Sequence, residues 1–545
     1  MIKKIKTLIV PIVLSLSVII FILMPFVYVF KEAFFLESGF SFENFVKVLG
    51  MKKLIGNSLK LSLGTSALSV ISSVFVSLFF YLSNKKIRTI INVILSITLI
   101  SPPFVTSLSY INLFGRRGFI SHDLLDLSIN PYNMWGIMSM QTVSFLSLNT
   151  LLLVGFLEKI DQRIIDSARS LGAHTNNIIK DILLPSMING IATVFMLSFF
   201  KSIADFATPN IIGGKFSVLA LEAYFEVIAN GNLSIAASMN IIILFLTLIV
   251  YFIFARNKEN TTKLGLSSEG RGPKLYKKTM LYYIIALVSI FLLLVLSILY
   301  ISIIFTAFTR MKKGSLVFTL DNFKDTGRYI NSISLRSIGY SLISALGGSL
   351  LGMLIGYFLI IKRVKYMKII DYFANLPYII PGMFFGLGYL LFFRGRPFYL
   401  TGTSAIVILN VTFKQLPFST RLFNASMKSI DRNILKAIRD LGGGSFYEVR
   451  DGIIPLSRES MRISLVNAFT TTMTTVGSII FLVYPSKKLM TLVMFDVINS
   501  GKYNEGSVIA LYILLICLVF NLVIQLLTKG PRLRRKDVSR NKKLK

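Results

Sequence analysis

The chain has 545 residues, of which 54% are hydrophobic and only 15% charged, and its mean hydropathy is +0.70. A soluble domain keeps about a quarter of its residues charged, so a water-soluble globular protein is excluded. The formal charge of +34 does not indicate nucleic acid: Lys and Arg gather between apolar runs and at the two ends, and no basic helix presents side chains that read bases.

The chain opens with Met1-Ile2-Lys3-Lys4-Ile5-Lys6 and an apolar run from Leu8 to Phe30. A secretory signal has an apolar segment of about 7–15 residues and a small-x-small cleavage pattern. This run is longer and lacks the pattern, which predicts a retained first span. Apolar runs of about 20 residues, each able to cross a bilayer as a helix, recur to give about twelve spans. The first six fall near 8–30, 58–82, 90–114, 136–157, 191–212 and 236–255. The second six fall near 281–305, 338–361, 369–393, 402–420, 463–484 and 507–527. The expected fold is an all-α polytopic membrane protein made of two parallel six-helix halves, 1–255 and 281–528. A polar cytoplasmic linker at 256–280 joins them, and a basic tail occupies 529–545. Positive charge is richer on the side shared with the N-terminus, in Lys85-Lys86-Arg88, Lys362-Arg363-Lys365 and the tail, which predicts that both ends are cytoplasmic. Cys517 lies inside an apolar run, has no partner for an internal disulfide, and reads as a small core residue.

Shifting the chain by 270 residues places Asp161 on Asp431, Arg169 on Arg439, Leu171 on Leu441, Gly172 on Gly442 and Pro185 on Pro455. Ile164, Ile165 and Ala168 fall on Ile434, Leu435 and Ile438, and Asn57-Ser58-Leu59 resembles Asn331-Ser332-Ile333. The repeated stretches lie between spans, at 158–190 and 425–460, on the predicted cytoplasmic side. In each, an Asp suits a helix N-cap, and the glycine suits the left-handed residue that closes a helix. Between them the apolar positions form one stripe. A second short helix is expected to end near Leu184-Pro185 or Ile454-Pro455, where proline blocks continuation. A single hook of this kind also fits an interfacial helix lying on lipid, but its recurrence in both halves favours a mechanical coupler.

Both stretches resemble the cytoplasmic "EAA" loop of ABC importer permeases. The matching residues are Asp166-Ser167-Ala168-Arg169-Ser170-Leu171-Gly172 with Leu184-Pro185, and Lys436-Ala437-Ile438-Arg439-Asp440-Leu441-Gly442 with Ile454-Pro455. The acidic opening residue of the pattern is Asp166 in one copy and Lys436 in the other. The resemblance covers nearly the whole chain and is closest to fused, two-half permeases of the ferric iron group. It is carried also by Pro102-Pro103-Phe104 with Leu113 to Gly118, by Ala204 to Pro209 with Gly213 to Leu219, and by Thr474 to Leu482. It implies the type I importer permease fold, and ATPase-coupling roles for Asp166, Ala168, Arg169, Leu171, Gly172, Pro185, Ala437, Arg439, Leu441, Gly442 and Pro455. It implies as partners an ABC ATPase subunit in two copies and an extracellular or periplasmic substrate-binding protein, in a bacterial inner membrane. Permeases for aminoethylphosphonate, thiamine, polyamines, sulfate and molybdate share the architecture, so the substrate could be any of these. No G-x-x-x-x-G-K-[ST] phosphate loop occurs. The chain is therefore expected not to be an enzyme and to bind no cofactor, ATP and Mg being held by the partner.

Lys201 and Asp205 lie four residues apart in or near the fifth span. They either line the pathway or its gate, since intramembrane charge is usually functional, or form a structural pair on one helix turn. Pro102, Pro103, Pro377 and Pro381 fall in spans of matching order and either hinge the helices or simply bend them. His122 and His174 are too few and too far apart for a metal site. A secondary transporter of twelve spans would need more intramembrane carboxylate than Asp205 alone, and a membrane enzyme would need a convergent set of catalytic groups that the sequence lacks.

Overall fold

The structure is a computed structural model that describes residues 2–36, 39–102, 104–116, 118–124, 126, 130–255, 279–312, 315–395 and 398–528. The expected linker at 256–280, apart from its last two residues, and the basic tail, at 529–545, therefore lie outside the described residues. In lipid the backbone must satisfy its own hydrogen bonds, and helices dominate accordingly. In chain order the main ones are α1 (Ile9–Phe34), α2 (Lys52–Leu82), α3 (Met134–Leu157), α4 (Gln162–Ser170), α5 (Ile188–Ile203), α6 (Leu233–Ala255) and α7 (Met280–Ala307). There follow α8 (Asp321–Ile361), α9 (Gly382–Phe393), α10 (Ser404–Ser429), α11 (Arg432–Asp440), α12 (Arg458–Thr474) and α13 (Tyr503–Thr528). Short antiparallel hairpins follow α1 and α7, pairing Phe35 with Phe40 and Thr309 with Phe318.

Among the described residues, seven helices are long and apolar enough to cross a membrane, or nine with two bent pairs counted as spans. Three of the twelve expected stretches fall outside that count of length and composition, for physical reasons. The stretch 90–114 is two helices, Lys85–Leu99 and Val105–Phe114, separated at Pro102. The stretch 402–420 falls largely in α10, which carries Lys414, Arg421 and Lys428, and 463–484 is helical only as far as Thr474, the end of α12, which is rich in Ser and Thr. Of the bent pairs, Thr175–Ser186 turns by 57° into α5, and Met367–Tyr378 by 114° into α9.

Each half is centred on three packed helices, α2, α3 and α5 in the first and α8, α10 and α12 in the second. Small and hydroxylated side chains permit close approach and hydrogen-bond across it. Gln141 Oε1 on α3 accepts from Thr65 on α2 (3.0 Å) and from Ser202 on α5 (2.7 Å). In the second half, the Ser464 hydroxyl lies 2.7 Å from that of Ser349 and 2.8 Å from that of Ser419. The start of the second helix is tied to its own half in a way that corrects one expected correspondence. The Ser58 hydroxyl accepts from the N–H of Leu219, and the Ser337 hydroxyl from the N–H of Met490. Ser337 is thus the counterpart of Ser58, and Asn331-Ser332 only mimics its sequence.

The first helix of each half also leans on the other half. α7 packs against α2 and Val105–Phe114, and α1 packs against α9. Pro25 has no N–H for the carbonyl of Phe21 four residues back, and the Tyr389 hydroxyl donates to that oxygen (2.7 Å). The Phe21 ring stacks on Phe393 and Phe413, with centroids 5.8 and 4.9 Å away. The crossing is close because Gly388 has no side chain: a Cβ there would stand 2.5 Å from the Pro25 carbonyl oxygen. Gly388→Val should therefore push α1 off α9 and destabilise the protein by about 1–3 kcal/mol. Thermal unfolding in detergent checks this, with Gly339→Val, whose Cβ meets nothing within 4 Å, as the helix-propensity control.

Candidate functional site

The two repeated hooks have nearly superimposable local geometry. Asp161 and Asp431 cap α4 and α11, each carboxylate accepting from a backbone N–H two residues on (3.0 and 2.9 Å). Gly172 and Gly442 have φ of +86° and +85°, in the left-handed region where glycine carries no Cβ penalty. Each helix closes with paired backbone bonds, Gly172 to Arg169 and Ala173 to Ala168, and Gly442 to Arg439 and Gly443 to Ile438. These are Schellman closures. The chain then returns through Thr175–Ser186 or Ser445–Leu456, each containing a π-helical turn just before Pro185 or Pro455. Proline lacks the N–H that would complete a regular α-helical ladder, and the wider turn accommodates that loss.

Each hook is held from below and open above. One residue of each first helix is buried, Ile165 at 0% and Leu435 at 2% exposure. At the tips, Leu171 and Leu441 are both 89% exposed. Two large apolar side chains at matched positions, standing almost entirely free on rigid caps, form a pair of knobs. Asp166, Lys436 and Ala437 are exposed beside them, with Ala168 and Arg169 half-buried.

The attachments of the hooks to the spans differ. Glu448, only 1% exposed, accepts from Arg439 at its Oε1, and from the Tyr357 hydroxyl (2.6 Å) and Lys362 (2.9 Å) at its Oε2. Arg439 belongs to α11, while Tyr357 and Lys362 lie at the end of α8, so one carboxylate clamps hook to span. Burial alone would push the Glu448 carboxyl up, but Arg439, Tyr357 and Lys362 outweigh it and hold it at about 2. In the first half, the same places are taken by Ile178 for Glu448, and by Leu78 and Ser83 for Tyr357 and Lys362. Ile178 and Leu78 are buried, and the Ser83 hydroxyl donates to its own helix at Phe79.

Within the membrane, Lys201 and Asp205 do not pair. Asp205 Oδ2 accepts from Gln141 (2.9 Å), and Oδ1 accepts from the N–H groups of Ala207 and Thr208 (3.0 and 3.1 Å), opening the short helix Ala207–Ile212. Lys201 lies over the Phe145 ring (5.6 Å) and is exposed. Pro381 stands at the sharp break between Met367–Tyr378 and α9, where the adjacent Ile380 carbonyl accepts from Lys414 (3.0 Å). Pro102 stands at the matching break of the first half, and Pro103 lies outside the described residues. No group of three or more His, Cys, Asp or Glu side chains able to hold a metal occurs among the described residues.

Residues 69–263 and 348–533 each match the family described as the binding-protein-dependent transport system inner membrane component. The chain belongs to that family. It is an inner-membrane transport permease with the permease domain present twice. It is 28% identical over 537 residues to the ferric transport system permease protein FbpB of Actinobacillus pleuropneumoniae, covering 93% of this chain and 77% of that one. It is 21% identical over 560 residues to the protein named "Probable ABC transporter permease protein y4fN" of Sinorhizobium fredii, covering 97% of each. The spermidine/putrescine transport system permease protein PotC of Escherichia coli K12 matches at 27% over 128 residues, 24% of this chain and 48% of that one.

Sequence reasoning on this permease picked out the hooks, because a repeat in register is visible without coordinates. It missed Glu448 and Lys414. The available signal was an ionisable residue with an uncharged match in the other half, Ile178 facing Glu448 and Ser144 facing Lys414.

The clamp yields a signed expectation. A carboxyl held low contributes stability that is present above its unfolded value, about 4.5, and is lost as the pH falls through about 2. Hydrogen exchange at 448–456 should stay constant from pH 7 to about 4.5, after correction for intrinsic rates, and rise below that. Glu448→Gln should speed it roughly tenfold or more at pH 7, a loss of about 1–3 kcal/mol. Exchange at 178–186 should be unchanged and serves as the internal control.

Proposed function

We propose that this permease carries ferric iron across a bacterial inner membrane, receiving it from an external binding protein and driven by two copies of an ABC ATPase. The observation that carries the coupling role is the pair of leucines, Leu171 and Leu441, 89% exposed at the tips of two like hooks. A partner that binds both hooks alike is a symmetric one, and two copies of one ATPase supply that symmetry. The hooks then face the cytoplasm with both chain ends, the ATPases hold ATP and Mg, and this chain binds no cofactor. The iron assignment draws on the ferric permease relative that spans most of the chain.

In this scheme the loaded binding protein docks at the end away from the hooks. ATP closes the two ATPases, the hooks move with them, and the passage between the halves opens outward. Hydrolysis reverses the motion and opens it inward. Gly172, Gly442, Pro185 and Pro455 set the shape of the couplers, while Arg169 and Arg439 stand on their inner helices.

The test is uptake of iron-55 in cells lacking ferric uptake that express the chain with its neighbouring ATPase and binding protein. Uptake that vanishes with an ATPase-dead partner supports the scheme. An assembled complex that hydrolyses ATP without moving iron discards the iron and points to a phosphonate, thiamine, a polyamine or an oxyanion. Gly172→Val and Gly442→Val place a β-branched residue in the left-handed region at about 1–2 kcal/mol or more, with open space around the new side chain. Each should reduce uptake at least tenfold while membrane levels hold; wild-type uptake in both would sink the coupling assignment.

A further inference from the structure

One face of α5 carries a charge that its surroundings must explain. Asn189, Thr193, Leu197 and Lys201 recur every four residues, one per turn along that face. All four are at least partly exposed, and from Asn189 to Ile212 Lys201 is the only residue that is more than partly exposed. The lipid-facing surfaces of this protein are apolar, as along α7 with Leu287, Phe291, Leu294, Ile298 and Ile301. An ammonium group does not belong on such a surface, so the face of α5 around Lys201 lines a water-accessible space. On the counterpart helix α12, the 270-residue shift puts Asn467 in the place of Leu197 and Thr471 in the place of Lys201. Both are partly exposed. The matching faces of α5 and α12 thus share a polar character, and only the first half puts a cation there.

The second half carries its intramembrane cation on another helix. Lys414, Arg421 and Lys428 lie seven apart on α10, two turns per step and thus on one face. Lys414 stands roughly 22 Å along α10 from its hook end at Ser429, and Lys201 roughly 20 Å along α5 from its hook end at Ile188. The two ammonium groups therefore sit at matching depth, one in each half. Lys414 gives one of its three donors to Ile380, and Arg421 donates to Asn375 (2.9 Å) and stacks on Tyr378. Two carboxylates lie on nearby elements and are turned to neutral donors: Asp205, one turn beyond Lys201, as described, and Asp371 accepting from Asn424 (3.0 Å). The matching faces of α5 and α12 thus offer the Lys201 ammonium among the hydroxyl and amide groups of Thr193, Asn467 and Thr471.

We propose that the passage is anion-selective, so that cargo crosses as a net-negative species: a metal enclosed by anionic oxygen ligands, or an oxyanion, and not a bare cation. Two ammonium groups at one depth repel a naked trivalent ion three times as strongly as a monovalent one. They attract the same ion once oxygen donors have reversed its net charge. This rests on the permease reading above and specifies the chemical form in which cargo passes.

The test reads the passage directly, without cargo. In a Cys517→Ala background, Leu197→Cys introduces a thiol one turn from Lys201 on the same face. It is exposed to an anionic sulfonate and a cationic ammonium methanethiosulfonate reagent, and each rate is normalised to that of a free thiol. The anionic reagent is expected to be favoured roughly tenfold, and Lys201→Met with Lys414→Met should bring the ratio to about one. A ratio at or below one, a ratio indifferent to the lysines, or no reaction with either reagent overturns the proposal.

Uptake by the assembled complex then separates the cargo forms, with iron-55 given as ferric citrate and phosphorus-33 as inorganic phosphate without iron. Because Lys414 also holds Ile380, Lys201→Met is read first. For whichever probe enters, uptake should fall about tenfold and recover in Lys201→Arg; unchanged or faster uptake overturns the proposal. If neither probe enters while ATP is hydrolysed, the iron reading fails, and the thiol ratio alone decides this inference.

Discussion

Movement of a hook reaches the membrane only if hook and span move as one body. In the second half that condition is met by one buried carboxylate. Glu448 gathers a guanidinium from α11 with a phenol and an ammonium from the end of α8. Such a cluster is costly to part, because separating it leaves charge in a place water does not reach. In the first half, buried Ile178 and Leu78 occupy the equivalent places. The two hooks therefore share a shape but differ in the side chains at this point.

The rest of the architecture follows from confining backbone to lipid. Where a helix must break, the released carbonyl needs a donor, and side chains from elsewhere supply it. Tyr389 serves the Phe21 carbonyl near Pro25, and Lys414 serves Ile380 beside Pro381. Both donors come from a different element, so each break also becomes a tether. The exchange of first helices adds another level of tethering, since α1 rests on α9 of the second half and α7 on α2 of the first. The halves are thus held together at their flanks, while the faces of α5 and α12 that carry Lys201 and Asn467 stay partly open.

Much of this was legible in the sequence, and the exceptions have identifiable causes. Hydropathy revealed the spans that are apolar throughout, and the 270-residue shift revealed both hooks, since glycine, proline and capping Asp each leave a local signature. Hydropathy also marks the stretches 90–114, 402–420 and 463–484 as spans, but it does not say where their helices break or which of their faces are polar. α10 is the clearest case, with its column of Lys414, Arg421 and Lys428. The repeat also misled at Asn331-Ser332, where the letters matched but the hydrogen bond to the following segment is made by Ser337. Contacts between distant segments, such as Glu448 with Tyr357 or Phe21 with Tyr389, have no local signature.

The departures from symmetry fall unevenly. The second half holds the ionic clamp and the column of cations on α10, whereas the first contributes Lys201 and the Asp205 network. In a protein assembled from two separate identical permeases, any such change would appear in both copies at once. Fusion into one chain removes that constraint, since each half can vary alone while the paired leucines at the hook tips are kept. The Glu448 carboxylate ties α11 to Tyr357 and Lys362 at the end of α8, and the same half carries the cations of α10, so the ionic departures from symmetry gather on one side of the repeat.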